Sequence, residues 1–561
     1  MILSKKLCVQ ALLFGSVFTG ISFLSLAQSD PKGERRVTSA FAITNAKVYT
    51  SPGSVVQATV LIRDGLIVEV GENINIPADA QKVVGDSLFV YSGFIDLGTE
   101  AGVSKPAAPE RPQDMDPSDP PPQVAGITPY REALDDYQPD NEMTAEWRKK
   151  GFTMAQLLPK GDGMLPGKTS LVIYGDNSST NIISTSTGLL VKFQAISGLY
   201  PGTTLGIMAK WRDLIQNAEL AAKHQVMFAS QNGINRPNND PVLEAFFPVL
   251  NKDIPVVFEI SNELEMRRAL SLQREKGFDM VMTGIKEGTD LIPDIKNAGV
   301  GAVLSLNLPD DKAYKKKIED PSTEQKNRMD RVKEAYKNSL ALASIFEKEG
   351  IPFAFATNSL TTGDFMKNIR LMLENGLSEQ AALAALTINA AKILKIDHMS
   401  GSIEKGKLAN MIVTTDSIFK KGSQIKYVIA DGYLFEYDIS KKKKDHEDDG
   451  LSGSWNYTAD TPDGSSSGEM KIKRKSEEYK GTITYDDPEG EGKKSTEMND
   501  IEWSENNLSF SYNVEVKGMN ISVTVSGETS DDQFEGNMSI TDIGVFPFRA
   551  SKSPESTHTT L

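Results

Sequence analysis

From residue 41 onward, apolar and polar positions alternate with a period of two. Residues 41–49, 55–63 and 66–70 each read as a strand. Turn signals at Ser51-Pro52-Gly53 and Asp64-Gly65 separate them. Residues 58–70 therefore predict a β-hairpin. A further strand over 87–91 runs into Ser92-Gly93-Phe94-Ile95-Asp96-Leu97. Seven prolines then crowd residues 105–122, a density that no helix or sheet interior tolerates. That segment predicts a lid-like insertion. From about 140 to 398 the pattern changes to short apolar runs (152–158, 254–258, 280–283, 301–306, 352–356) alternating with amphipathic helices such as 262–276 and 325–349. Units of this length predict a parallel sheet, and eight of them close a barrel. About seven are countable.

Residues 378–395 predict one more helix, 401–406 a turn, and 408–414 and 425–436 strands. A charge block at 441–449 reads as a linker, taken as 439–449. Beyond it, Ser, Thr, Gly and Asp alternate with apolar residues and the helical period disappears. Residues 450–551 predict a separate antiparallel β-barrel.

Composition narrows the function classes. The chain has 561 residues, a net charge of −15 and 39% apolar residues, enough for a core. An acidic chain of this kind argues against a nucleic-acid partner. The only four histidines are His224, His398, His446 and His558. An imidazole-rich metal site gathers about three or more in one place. Lys5 and Lys6 precede an apolar stretch to Leu26, and Ser25-Leu26-Ala27 suits cleavage before Gln28. Residues 1–27 thus read as a signal peptide, with export to a bacterial periplasm or exterior. The single cysteine, Cys8, falls inside it, so the mature chain would have neither disulfide nor thiolate ligand. No later window approaches the roughly 20 apolar residues of a membrane span, so an integral membrane protein is not expected.

Ser92-Gly93-Phe94-Ile95-Asp96-Leu97-Gly98-Thr99-Glu100 resembles the opening barrel strand of the amidohydrolase superfamily, where Pro-Gly-Phe-Ile-Asp-x-His-x-His is usual. The strands at 43–49 and 62–67 are similar to that superfamily's N-terminal sandwich. Thr387-Ile388-Asn389-Ala390-Ala391 and Gly401-Ser402-Ile403-Glu404-Lys405-Gly406 resemble its closing signature, and Asp431-Gly432 its last sandwich strand. Gly151-Phe152-Thr153 and Leu158-Pro159 look like barrel units of imidazolonepropionase-like members. The resemblance spans about 40–436. It implies an α/β fold: a distorted TIM (β/α)8 barrel over 92–399, flanked by a small composite β-sandwich from 38–91 and 400–438. The antiparallel barrel at 450–551 would follow, its Gly453-Ser454-Trp455 being similar to the first strand of calycin barrels, with Trp455 as core filler and Trp503 either core or exposed.

The resemblance also implies one or two divalent metals, zinc or similar. The usual ligands are two histidines on strand one, one each on strands five and six, and an aspartate on strand eight. At those positions this chain has Gly98, Glu100, Glu259, Gly284 and Asn358. A glycine offers no ligand, and an asparagine cannot take a proton from metal-bound water. No metal cofactor is therefore expected. Asp96, Glu100, Glu259 and Glu287 could converge at the mouth, where carboxylates would suit Ca²⁺ or Mg²⁺ better than zinc. The plainer expectation is that Asp96 caps the strand end and the glutamates pair with Lys160, Lys168 or Lys286. Asn389 is expected to join helix to loop.

Three functions follow as expectations. The first is a non-catalytic binding or partner subunit, in a homo-oligomer or with an active amidohydrolase relative. The alternative is an active hydrolase of non-peptide or dipeptide C–N bonds through an unconventional carboxylate-rich site, with Glu100, Glu259 and Asn358 as candidates. The third is small-ligand or carbohydrate binding by the C-terminal barrel.

Overall fold

A computed structural model describes residues 34–35, 40–175, 181–309, 322–439 and 450–553, the last range without the turn positions 462–463, 476–477, 488–489, 491, 505–506, 517–518, 531 and 541–542. The signal segment, the charge block at 440–449, His446 and His558 lie outside the described residues.

Nine strands from the segments before and after the first barrel form one sheet. Ser54–Arg63 and Leu66–Gly71 make the expected hairpin. Its Asp64-Gly65 turn has φ of 52° and 74°, the left-handed pair that a two-residue hairpin turn requires. The two segments are joined where Phe89–Ser92 runs antiparallel to Met411–Thr414. Phe41, Ile62, Val90, Met411 and Ile429 share one core beneath the sheet.

A second sheet has eight strands in chain order: Phe94–Thr99, Phe152–Leu157, Gly167–Ile173, Ile182–Lys192, Val256–Glu259, Met280–Ile285, Gly301–Ser305 and Phe353–Ala356. These are barrel strands 1 to 8. Their inward side chains, such as Ile95, Met154, Leu171, Val257 and Val303, fill the interior. Helices Glu142–Lys149, Thr204–Ser230, Glu263–Lys276, Ile292–Ala298, Thr323–Lys348 and Asp364–Glu374 lie outside. The all-parallel expectation is corrected at strand 3, which runs antiparallel to strands 2 and 4. Residues 158–166 and 174–181 are too short for the dozen or so residues that a parallel crossover needs.

Strands 8 and 1 end the laddered path, and a carboxylate bridges them. Asp96 Oδ1 accepts from the Thr357 backbone N–H at 3.0 Å, and the Thr357 hydroxyl donates to Asp96 Oδ2. The Asn358 N–H donates to Gly98 O at 3.0 Å. The single helix expected over 378–395 is instead two, Glu379–Leu386 and Ile388–Ile393. They break at Thr387, whose hydroxyl donates to Leu383 O at 2.6 Å and competes with the helical bond. Asn389 Nδ2 donates to Phe353 O at 3.2 Å and ties the second helix to strand 8.

The C-terminal module is a closed eight-stranded antiparallel barrel, Gly453–Thr461 pairing with Gly544–Lys552 to complete it. Trp455 is buried, and its indole N–H donates to Leu451 O at 2.9 Å. Tyr457, Phe510, Tyr512, Phe534 and Phe548 fill the interior with it. Trp503 is half-buried against Tyr479. The module docks on the flank of the first barrel. Lys149 meets Glu535 at 2.7 Å, Lys150 meets Glu528 at 2.6 Å, and Arg549 meets Glu142 at 2.9 Å. Thr361 bonds Ser526, and Asn537 bonds Thr362.

Gly363 lies at the tightest point of this contact. A Cβ there would come within 2.7 Å of the Gly527 backbone nitrogen. Its φ of −67° is ordinary, so substitution would strain the contact and not the local backbone. Gly363→Val is expected to split thermal unfolding into two calorimetric transitions, one per barrel. A single unshifted transition would show that the docking does not couple them.

A candidate site at the barrel mouth

Asp96 sits at the centre of the mouth's framework. It is 1% exposed and accepts three hydrogen bonds, two from Thr357 and one from the Gly98 N–H at 3.1 Å. The burial of its carboxyl pushes the pKa up to about 7, against the pull of those bonds. Its role matches the expectation of a strand-end cap and extends it, because the cap also spans the seam to strand 8.

Lys192 ends strand 4, in parallel register with Glu259 at the end of strand 5. Its ammonium lies 2.8 Å from Glu259 Oε2 and 3.9 Å from Glu100 Oε1. Lys160 stands 3.9 Å from the other Glu100 oxygen. The amide of Asn358 donates to Glu259 Oε1 at 3.3 Å. Burial raises the pKa of Glu100 although Lys192 and Lys160 oppose it. Burial alone would lower the Lys192 pKa, but the two glutamates outweigh it and the ammonium is held charged. The mouth is therefore an internal salt cluster.

Glu100, Glu259 and Asn358 meet around Lys192, and Gly98 is tied to Asn358 through its carbonyl. Gly284 does not contribute: it sits at the strand end with φ of 78°, and a Cβ there would meet Ile260 O at 3.2 Å. Thr283 beside it faces the interior, 3.1 Å from where a Cβ of residue 98 would lie. Glu287 is diverted to the N-terminus of the Glu263–Lys276 helix, accepting from the Glu263 N–H at 2.7 Å. Lys168 lies beside Glu132 and not at the mouth. Lys286 feels the charge of Glu259 but forms no ion pair with it. Lys192 was missed from sequence. The signal was available: one charged residue closes the apolar run Leu189-Leu190-Val191.

The donors do not fit an imidazole-rich metal centre. Position 98 has no side chain, and Thr283 and Ala356 crowd the space beside it, the latter at 3.2 Å. A lysine ammonium already lies against both carboxylates. Among the described residues, no group of three or more His, Cys, Asp or Glu could hold a metal ion. His398 is in an exposed turn, and His224 bonds Asn235 O at 2.9 Å on an outer helix.

Residues 287–434 match the amidohydrolase family model. A solved amidohydrolase from Thermotoga maritima MSB8 aligns with a TM-score of 0.58 and 21% identity, covering 71% of this chain and 100% of that one. The described barrel shares the fold of that amidohydrolase, and its second half carries the family match. Two curated relatives are 34% identical over short stretches. Adenine deaminase 1 of Desulfotalea psychrophila aligns over 100 residues, 17% of this chain and 16% of its own length. Adenine deaminase 4 of Rhizobium meliloti aligns over 77 residues, 14% and 12%. The aligned stretches span less than a fifth of either relative. The amidohydrolase family typically uses divalent metals.

The shift at Asp96 has a pH consequence. Unfolded, its carboxyl ionises near the ordinary 3.8; folded, it keeps its proton to about 7. The folded state therefore binds more protons between those values, and stability falls as pH rises from about 4 to about 7. Asp96→Asn keeps the shape and removes the titration. Denaturant unfolding of this variant should show a flatter slope across that window; an unchanged slope would remove Asp96 as its source.

Proposed function

We propose that this is an exported, non-catalytic member of the amidohydrolase superfamily, working as a binding or partner subunit without a metal cofactor. The Lys192 ammonium between Glu259 and Glu100 carries the reading. In a metal-dependent hydrolase, bound cations supply the positive charge at the mouth, lower the pKa of water and polarise the carbonyl. Here a fixed ammonium supplies the charge, and it can neither bind water as a ligand nor polarise a substrate as a Lewis acid. Asn358 supports the same reading, because a carboxamide does not accept a proton as a carboxylate does. The partner would be a second copy or an active relative of the same fold. Export rests on residues 1–27.

Elemental analysis of protein purified without chelator is expected to find well under one equivalent of Zn, Mn or Fe. A full equivalent would overturn the proposal. Lys192→Met strips the cluster of its cation and leaves two half-buried carboxylates facing each other. It is expected to cost roughly 2–3 kcal/mol, below the loss for a fully buried pair. Added Ca²⁺ should recover part of that stability in the variant and none in the parent. Equal responses would show that Lys192 does not stand in for a cation.

One observation favours a second reading. The raised pKa of Glu100 suits a general acid, and Glu259 beside it would then be the base of a metal-free C–N hydrolase. Turnover of dipeptides or cyclic amides that vanishes in Glu100→Gln with Glu259→Gln would establish it and displace the first.

A further inference from the structure

The longest barrel helix among the described residues, Thr204–Ser230, has its fully buried side chains along its first part. Its buried residues are Ile207, Trp211, Leu214, Ile215 and Ala218. Glu219 meets Lys276 at 3.9 Å, and Lys276 ends the neighbouring helix. Beyond that point the helix continues to Ser230, at about 1.5 Å per residue roughly 16 Å farther. Every residue from 225 to 230 is exposed.

This projecting end is apolar where it is most exposed. Val226 is 68% exposed, Met227 43%, Phe228 43% and Leu220 56%. Residues 226–228 are consecutive, so at about 100° per residue they face more than half of the helix circumference. A protein groove reads a single stripe at i, i+3, i+4 and i+7. A lipid interface contacts a projecting end on all sides. The charge points the same way. No Asp or Glu lies between Glu219 and Asp240, while Lys223 and Arg236 do, in a chain of net charge −15. The nearest acids are engaged: Glu219 with Lys276, Glu275 with Arg212 at 2.7 Å, and Asp240 with the Val242 N–H at 2.9 Å. His224 bonds Asn235 O, which folds the return segment and Arg236 back against the helix.

The geometry points to this helix end as a docking site for an anionic lipid surface. The apolar side chains enter the headgroup–acyl boundary, and Lys223 and Arg236 meet lipid phosphates. A second copy of the chain fits less well, because tip-to-tip pairing would bring like charges together.

The test is co-sedimentation with vesicles of phosphatidylcholine alone or mixed with phosphatidylglycerol. The parent and a Val226→Ser, Met227→Ser, Phe228→Ser variant would carry the same N-terminus. The parent is expected to bind the anionic vesicles and to release as NaCl rises. The variant should bind about tenfold more weakly or less, with an unchanged melting temperature. Lys223→Glu with Arg236→Glu should weaken binding while keeping the apolar end, which separates the charge from the burial. Equal binding by parent and serine variant would overturn the inference. So would a concentration-dependent dimer in sedimentation equilibrium that the serine variant abolishes, since the end would then dock a second copy.

Discussion

A buried carboxyl group bridges the seam of the first barrel. The strand ladder stops between strands 8 and 1, and Asp96 holds the seam by accepting from both the backbone and the hydroxyl of Thr357. The segment held there also reaches the mouth and the second barrel. Thr357 fixes the start of the loop after strand 8, which aims the Asn358 amide at Glu259. A few residues on, the same loop presents Thr361 and Thr362 to the C-terminal barrel. One short segment thus joins barrel closure, mouth chemistry and domain docking. The burial of Asp96 that raises its pKa is the cost of this arrangement.

Charge compensation governs the mouth itself. Two carboxylates brought together across the mouth from the ends of strands 1 and 5 need a cation, since like charges without one are destabilising in a partly dry site. Lys192 meets that need from within the chain. The solution is sterically compatible with its surroundings because position 98 is a glycine, with Thr283 and Ala356 closing over it. The glycine at position 98 and the lysine between the glutamates together give the mouth an internal salt cluster.

Much of the fold could be read from the chain. Period-two alternation marked the hairpin around Asp64-Gly65, and the motif at 92–100 marked the first barrel strand. The antiparallel third strand was hidden, because a short apolar run has the same pattern in either direction. The break at Thr387 was hidden too, since it depends on a hydroxyl choosing a carbonyl one turn back. At the mouth, Glu100, Glu259 and Asn358 were placed from their strand-end positions. Gly284 was assigned to the mouth although Thr283 is the residue that faces inward, a one-residue difference that reverses the side of a strand.

The sequence by itself determined that Glu100, Glu259 and Asn358 stand at strand ends, because periodicity and the motif order fix the register of these barrel strands locally. It also determined the supply of soft and imidazole ligands, four histidines and one cysteine in the whole chain. Only the tertiary structure decided what those residues do to one another. Glu100, Glu259 and Lys192 are far apart in the chain, and nothing local specifies that an ammonium will lie 2.8 Å from one carboxylate and 3.9 Å from the other. Ion pairing depends on distance in space, and closing the barrel is what sets that distance.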